Sequence, residues 1–235
     1  MYSWRARIGV IAPMNDQIEY AFNRYAPEGV AFNCVKMPFS DKDPAQADEF
    51  AEKLEKVAAM FRGDRHDAIL FGFNIGARTK GTAFDQQCAA QIENISGSPA
   101  LTSSMAAVEA LRALGAKKVA VMTPYGEEEN LSEKKFLEDN GFEVLSVTGI
   151  GYNDAFLYST ADKRHLYRNA RDIDLTDADA FYVSSMHFET LELVHVYEED
   201  FDLPAVTSHQ AALWAALRRA GINDKIPYLG KLFTL

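Results

Sequence analysis

The sequence has few cysteines, few basic residues and no long apolar run, and each shortage excludes a class of protein. Two cysteines, Cys34 and Cys88, in 235 residues do not make a disulfide framework. Lysine and arginine number 24 against 34 acidic residues, for a net charge of −10, so the basic surface that nucleic-acid phosphates require is missing. No apolar run approaches the roughly 20 residues of a membrane span, and residues 8–12 are too short for a signal sequence. We therefore expect a cytoplasmic protein without nucleic-acid or membrane partners.

Several short motifs of cofactor enzymes and hydrolases are also missing. The two glycines within residues 71–76 form neither a dinucleotide fingerprint nor a phosphate-binding loop. No two of the five histidines have the four-residue spacing of a zinc-binding helix. Ser185 stands outside any Gly-x-Ser-x-Gly turn. The sequence therefore predicts no cofactor and no metal site.

What the sequence does contain is an internal repeat. Residues 7–15 carry a charged start, an apolar run, a proline and a polar turn, and residues 117–126 repeat this plan. Further on, matching strand patterns at 29–32 and 141–144, and at 66–72 and 178–184, keep nearly the same offset. A spacing preserved over three strands indicates duplication of one supersecondary unit.

Helical patterns separate these strands. Residues 50–61 place their apolar side chains on one helix face. Three further helices are predicted from their caps: one that begins at Thr102 to Ser104, one capped by Asn130 and one capped by Ser208. Strands that alternate with helices indicate parallel βαβ units. The predicted fold class is therefore α/β, with two pseudo-symmetric, doubly wound parallel sheets.

Candidate functional residues follow the predicted strands, because ligands of open parallel sheets bind beyond the carboxyl ends of the strands. Asn15 can bind a carboxylate there, or it can simply cap the next helix. Thr123 and Tyr125 offer hydroxyl groups that suit an oxyanion. Ser185 and His187 combine a nucleophile with a potential base, but no third member of a triad is evident.

Three segments and the N-terminal strand carry a resemblance to a known family. Residues 113–125 with Glu128 and Asn130, residues 136–144, and residues 207–218 resemble the maleate isomerase and arylmalonate decarboxylase branch of the aspartate/glutamate racemase superfamily. The resemblance implies one α/β domain from 1–100 plus 208–235 and another from 101–207. It also implies a cleft for a small carboxylate substrate, chemistry without a cofactor, and a homodimer or higher homo-oligomer.

The resemblance also implies site residues, and it shows departures among them. That family places a catalytic cysteine after the third strand of one or both halves; here these positions hold Phe73 and Ser185. Lys36 stands where members often carry histidine or arginine. The anion-binding residues of the family are retained, and the resemblance implies that these side chains, which follow the strands, bind a carboxylate. The expected substrate-binding residues are Asn15, Lys36, Phe73, Asn74, Thr123, Tyr125 and His209.

Three hypotheses follow. The first is an isomerase, a lyase of the decarboxylase type or a hydrolase that acts on a small carboxylate or amide, with His187 as acid and base and Ser185 as its hydroxyl partner. The second is a non-catalytic protein that binds or senses a small carboxylate, because both thiols are lost. The third is an enzyme that depends on Cys34, which shares a strand face with Lys36.

Overall fold

Two four-stranded parallel sheets organise the chain. A computed structural model describes residues 3–14, 16–38, 44–74, 80–152 and 155–235. The first sheet has the order β2-β1-β3-β4 and the second the order β6-β5-β7-β8, with every paired strand parallel. The strands are β1 Ala6–Pro13, β2 Val30–Met37, β3 Ala68–Phe71, β4 Ala100–Thr102, β5 Lys118–Thr123, β6 Glu143–Gly149, β7 Ala180–Val183 and β8 Ala205–Thr207. The predicted α/β fold with two parallel sheets is confirmed.

Helices cover both faces of each sheet. Those of the described residues are α1 Ile18–Tyr25, α2 Pro44–Ala59, α3 Thr82–Ser96, α4 Ser103–Ala113, α5 Glu127–Asp139, α6 Ala155–Ser159, α7 Lys163–Arg171, α8 Val194–Phe201 and α9 Ser208–Arg219. Short 3₁₀ turns occupy Leu191–Leu193, Pro227–Leu229 and Lys231–Thr234. In the ranges that the structure describes, no helix is both long enough and apolar enough to cross a bilayer.

The internal repeat is visible at the level of single hydrogen bonds. Asp67 accepts the Arg7 backbone N–H at 2.8 Å and donates its own N–H to the Arg7 carbonyl at 2.8 Å. In the second sheet, Asp179 accepts the Lys118 N–H at 2.8 Å and donates to the Lys118 carbonyl at 2.8 Å. Each aspartate thus ties the start of the third strand of its sheet to the first. The predicted pseudo-symmetry is therefore found in the contacts as well as in the strand order.

The core lies in four layers, two against each sheet. α2 and α3 cover one face of the first sheet, and α7 and α8 cover one face of the second. α4 and α9 lie between the sheets and contribute to the cores of both. In the core of the first sheet they place Ala106 and Leu213, and in the core of the second sheet they place Val108 and Ala211. Because α9 contributes to both cores, the division into 1–100 plus 208–235 and 101–207 stays a prediction.

Two of the predicted helix starts are wrong by a few residues. α9 is capped by Thr207, whose Oγ1 accepts the Gln210 N–H at 3.2 Å, and Ser208 is the first helical residue. α5 begins at Glu127, after Gly126, so Asn130 lies inside the helix and bonds the preceding loop instead. At α9 two hydroxyl residues, Thr207 and Ser208, compete for the cap. At α5 the cap position is Gly126, whose N–H donates to Glu129 Oε2 at 3.0 Å, so no side chain marks the start of this helix.

Candidate active site between the two sheets

A polar network centred on Ser208 joins the carboxyl ends of the two sheets. The Ser185 N–H donates to Ser208 Oγ at 3.1 Å, and the Asn74 side-chain amide donates to the same atom at 3.4 Å. The Tyr182 hydroxyl lies 3.1 Å from Ser208 Oγ, and the Ser103 hydroxyl donates to Asn74 Oδ1. One serine at the start of α9 thus connects the loop after β3 with the loop after β7.

Ser185 has an unusual backbone conformation. Its φ angle is +105°, a region that residues other than glycine rarely adopt, and such strain clusters at functional sites. The residue is 1% exposed, and its Oγ accepts the backbone N–H of His187 at 3.1 Å. His187 is half-buried, and its ring stands edge-on to Tyr158 with centroids 6.1 Å apart. The turn after β7 therefore fixes Ser185 and His187 together.

The side chains of Tyr125 and His187 both contact the ring of Tyr158. The Tyr125 ring stands edge-on to Tyr158 with centroids 6.0 Å apart, and it is buried. The Tyr125 N–H donates to Thr123 Oγ1 at 3.1 Å, while the Thr123 hydroxyl donates to Asn130 Oδ1. Thr123 therefore holds the shape of this loop, since its hydroxyl proton is used inside the protein.

A buried carboxyl group that the sequence analysis missed lies beside the end of β7. Glu133 on α5 is 3% exposed, and its Oε1 accepts the Ser184 hydroxyl at 2.9 Å. Burial raises the pKa of the Tyr182 phenol, and the charge of Glu133 raises it further. In the sequence, Glu133 stands among other charged residues of α5, so nothing distinguishes it from a solvated surface glutamate.

Lys36 and His209 both lie near Asp16. The Lys36 ammonium donates to the Asp16 carbonyl and lies 2.7 Å from Glu19 Oε2, so a carboxylate already pairs its charge. His209 Nε2 lies 3.9 Å from Asp16 Oδ1. Asn15, the predicted carboxylate ligand, lies outside the described residues. The structure thus places Lys36 and His209, two of the predicted substrate-binding residues, beside Asp16, which follows Asn15 in the sequence.

Phe73 and the two cysteines are engaged in apolar packing. Phe73 is 4% exposed and stacks on Phe71 with ring centroids 4.8 Å apart. Burial raises the pKa of the Cys34 thiol to about 12, with a further contribution from Glu19, and burial likewise raises that of Cys88 to about 12. Both thiols are therefore neutral near pH 7, whereas a nucleophilic cysteine needs the thiolate form.

The described ranges hold no group of three or more His, Cys, Asp or Glu side chains arranged as metal ligands. The polar groups between the sheets are instead hydroxyls, amides, an imidazole and a carboxyl. Such groups can hold an anion and move a proton.

These features define a duplicated α/β protein with a polar site at the strand ends that its two sheets share. The model of the arylmalonate decarboxylase family matches residues 9–233. The chain belongs to that family, and the resemblance seen in the sequence is confirmed.

Individual relatives agree with this assignment. The chain is 24% identical over 239 residues to a maleate isomerase of Nocardia farcinica, covering 96% of this chain and 94% of that protein. It is 28% identical over 163 residues to an arylmalonate decarboxylase of Bordetella bronchiseptica, covering 66% and 65%. The fold matches a maleate isomerase of Pseudomonas putida S16 solved with maleate, with a TM-score of 0.90 at 21% identity over 97% of both chains. It also matches a Nocardia farcinica maleate cis-trans isomerase variant with a covalently bound succinylcysteine, with a TM-score of 0.88 at 21% identity over 97% and 98% of the two chains.

Proposed function

We propose that this protein is a cofactor-independent isomerase or decarboxylase-type lyase that acts on a small carboxylate bound between the two sheets, with chemistry that uses no cysteine. The observation that carries the proposal is the Ser208 network, because it presents Ser185 and His187 of the second sheet next to Asn74 of the first. Of the three predicted reaction types we keep isomerase and lyase, since the relatives are named for these.

The relatives support a carboxylate as the substrate class. One structure with the same fold holds maleate, and another holds a succinyl group on a cysteine. In this chain the resemblance puts Ser185 and Phe73 where the family has cysteines, and burial keeps Cys34 and Cys88 protonated. Proton transfer therefore falls to His187, a residue type whose ordinary pKa suits acid and base catalysis near neutral pH.

Each of the remaining polar groups of the site is assigned a role. The Asn74 amide and Tyr125 phenol, with Asn15, are the groups that we assign to holding the substrate carboxylate. Ser185 supplies a hydroxyl whose oxygen accepts the backbone N–H of His187, and we assign the uptake of its proton to the His187 imidazole. The phenol of Tyr182 stays protonated, because burial raises its pKa, so it serves as a donor or acceptor of hydrogen bonds and not as a base.

A second candidate function is binding of a small carboxylate without turnover. The packing of Phe73 on Phe71 favours it, because an aromatic side chain in the core cannot replace a thiol in catalysis. The two functions differ in one observable, which is whether a bound acid is converted.

The test is turnover of maleate and phenylmalonate by the wild type and three variants. His187→Ala and Ser185→Ala are each expected to lower kcat by at least about 100-fold, the typical contribution of a positioned acid or base. His195→Ala, an exposed histidine on α8, is the matched control and is expected to leave kcat unchanged. Tight binding without conversion by the wild type would favour the second candidate. Full activity in both site variants would show that the assignment of Ser185 and His187 is wrong.

A further inference from the structure

A separate pocket opens between the sheets next to the Ser208 network. Its volume is about 240 Å³. One wall is formed by α1 of the first half and the other by Lys163 and by the segment 189–192, which follows the loop of His187. His209, the residue after Ser208, also lines it. The pocket therefore borders the proposed active site through two chain segments.

His209 has unused hydrogen-bonding capacity in this pocket. Its side chain is 3% exposed, and among the described residues no partner lies within hydrogen-bond distance of Nδ1 or Nε2. The Asp16 carboxylate at 3.9 Å is too distant for a hydrogen bond, and Phe22 holds the ring edge-on with centroids 6.4 Å apart. A buried imidazole without a partner is costly, so this one points to a ligand group.

The described residues that line the pocket carry no net charge, and their unpaired donor groups suit an anionic ligand group. Arg24 and Lys163 are offset by Glu189 and Glu192, so the charged side chains of the walls cancel. What remains is the positive N-terminal end of α9, where His209 is the second residue. The His209 ring has two nitrogens, so one can donate a hydrogen bond to a ligand carboxylate while the other, Nε2, faces Asp16.

We propose that this pocket binds a carboxylate arm of the substrate that extends beyond the reacting centre. The inference rests on the proposed function and deepens it, because it names a substrate with one more anionic group than the strand ends hold. The volume of 240 Å³ lies below the roughly 300–1,000 Å³ of pockets for drug-sized ligands. It therefore suits a short arm and not a second complete molecule of that size.

The test compares acids that differ only in this arm. In the first pair, cis-aconitate carries a carboxymethyl group where citraconate carries a methyl group. In the second pair, ethane-1,1,2-tricarboxylate and 2-methylmalonate differ in the same way. Calorimetry on the wild type is expected to show about tenfold tighter binding of the acid with the arm in at least one pair, the gain typical of one hydrogen bond to a charged group.

Variants assign that preference to His209. His209→Leu is expected to abolish it while the Kd of the methyl acid stays within about twofold, which also reports an intact site. His209→Gln keeps a hydrogen-bond donor and is expected to retain part of the preference. His66→Leu replaces another buried histidine, whose ring nitrogens are already paired with Asp64 and Asn33, and it should leave the preference intact.

The outcomes separate the two proposals. If the wild type binds the methyl acids but prefers the arm in neither pair, or if the preference survives in His209→Leu, the pocket is not the subsite and the proposed function is untouched. If none of the four acids, maleate or phenylmalonate binds at all, the proposed function itself is wrong.

Discussion

At the scale of single residues, Ser185 shows what a strained backbone achieves at the end of a strand. The positive φ angle turns its N–H towards Ser208 and its Oγ towards the His187 N–H. A conformation that costs about 1–3 kcal/mol persists only when surrounding contacts fix it. Here the network with Ser208 supplies these contacts.

Asp85 gives a second residue-scale consequence, and it concerns pH. Burial raises the pKa of this carboxyl to about 6, although the Thr102 hydroxyl donates to it. A folded-state pKa above the unfolded value means that the folded state binds more protons between pH 4 and 6. The contribution of Asp85 to stability is therefore greatest below pH 4 and falls as the pH rises through 6.

We predict that Asp85→Asn removes the loss of stability that the wild type shows as the pH rises through 6. Relative to the wild type, the free energy of unfolding of the variant should rise by about 3 kcal/mol between pH 4 and pH 7, the equivalent of roughly two pKa units. Urea unfolding at unit steps of pH measures the difference. Asp224→Asn is the control: the hydrogen bond from Arg5 lowers the pKa of Asp224, so its contribution to stability is lost only as the pH falls below about 4, and the difference between this variant and the wild type should stay nearly constant between pH 4 and pH 7. A pH-independent difference for Asp85→Asn would contradict the account.

Residue types at the site could be predicted, but most of their contacts could not. Ser185 and His187 follow a recognisable strand, and the structure keeps them together. Glu133 and Asp16 carry no such signal, because a carboxylate in a charged helix or a polar turn looks the same whether it is buried or solvated. Burial of a charged group depends on tertiary packing, which the local pattern does not encode.

At the scale of elements, the helices between the sheets start from the last strand of each. Thr102 ends β4 and caps α4, accepting the Met105 N–H at 3.1 Å. Thr207 ends β8 and caps α9 in the same way, and Gln210 completes a capping box. A strand that leads directly into a capped helix brings Ser103 and Ser208 to equivalent places at the site.

The cap of α9 yields a further prediction. Thr207→Ala removes the acceptor of the Gln210 N–H and is expected to lower the free energy of unfolding by about 1 kcal/mol. Thr207→Ser keeps the hydroxyl and is expected to lose less than half of that. Urea unfolding of both variants measures the difference. Equal losses in the two variants would mean that the methyl group and not the cap is responsible.

Element types followed from the sequence more readily than element boundaries. The predicted strand at 178–184 contains β7, and the predicted helix at 50–61 overlaps α2. The start of α9 was displaced by one residue, because Thr207 and Ser208 are equally good caps by residue type. Only the direction of β8 shows which hydroxyl faces the helix.

At the scale of the whole molecule, duplication produced two sheets with the same strand order and one site between them. The middle layer of α4 and α9 couples the cores, and Glu192 adds a link across the pocket by accepting the Tyr25 hydroxyl at 2.7 Å. The predicted domain bounds and the predicted homodimer or higher oligomer remain proposals. Strand periodicity specifies neither the boundary between domains nor the surface through which copies of the chain would associate.

The central claim is that a member of this family works without a thiol. The most direct measurement is the turnover of maleate and phenylmalonate by a protein with Cys34→Ser and Cys88→Ala, compared with the wild type and with His187→Ala. Because both thiols are protonated near pH 7, we predict that the cysteine-free protein keeps wild-type kcat while His187→Ala loses it. Loss of turnover in a folded cysteine-free protein, with full activity in His187→Ala, would contradict the account.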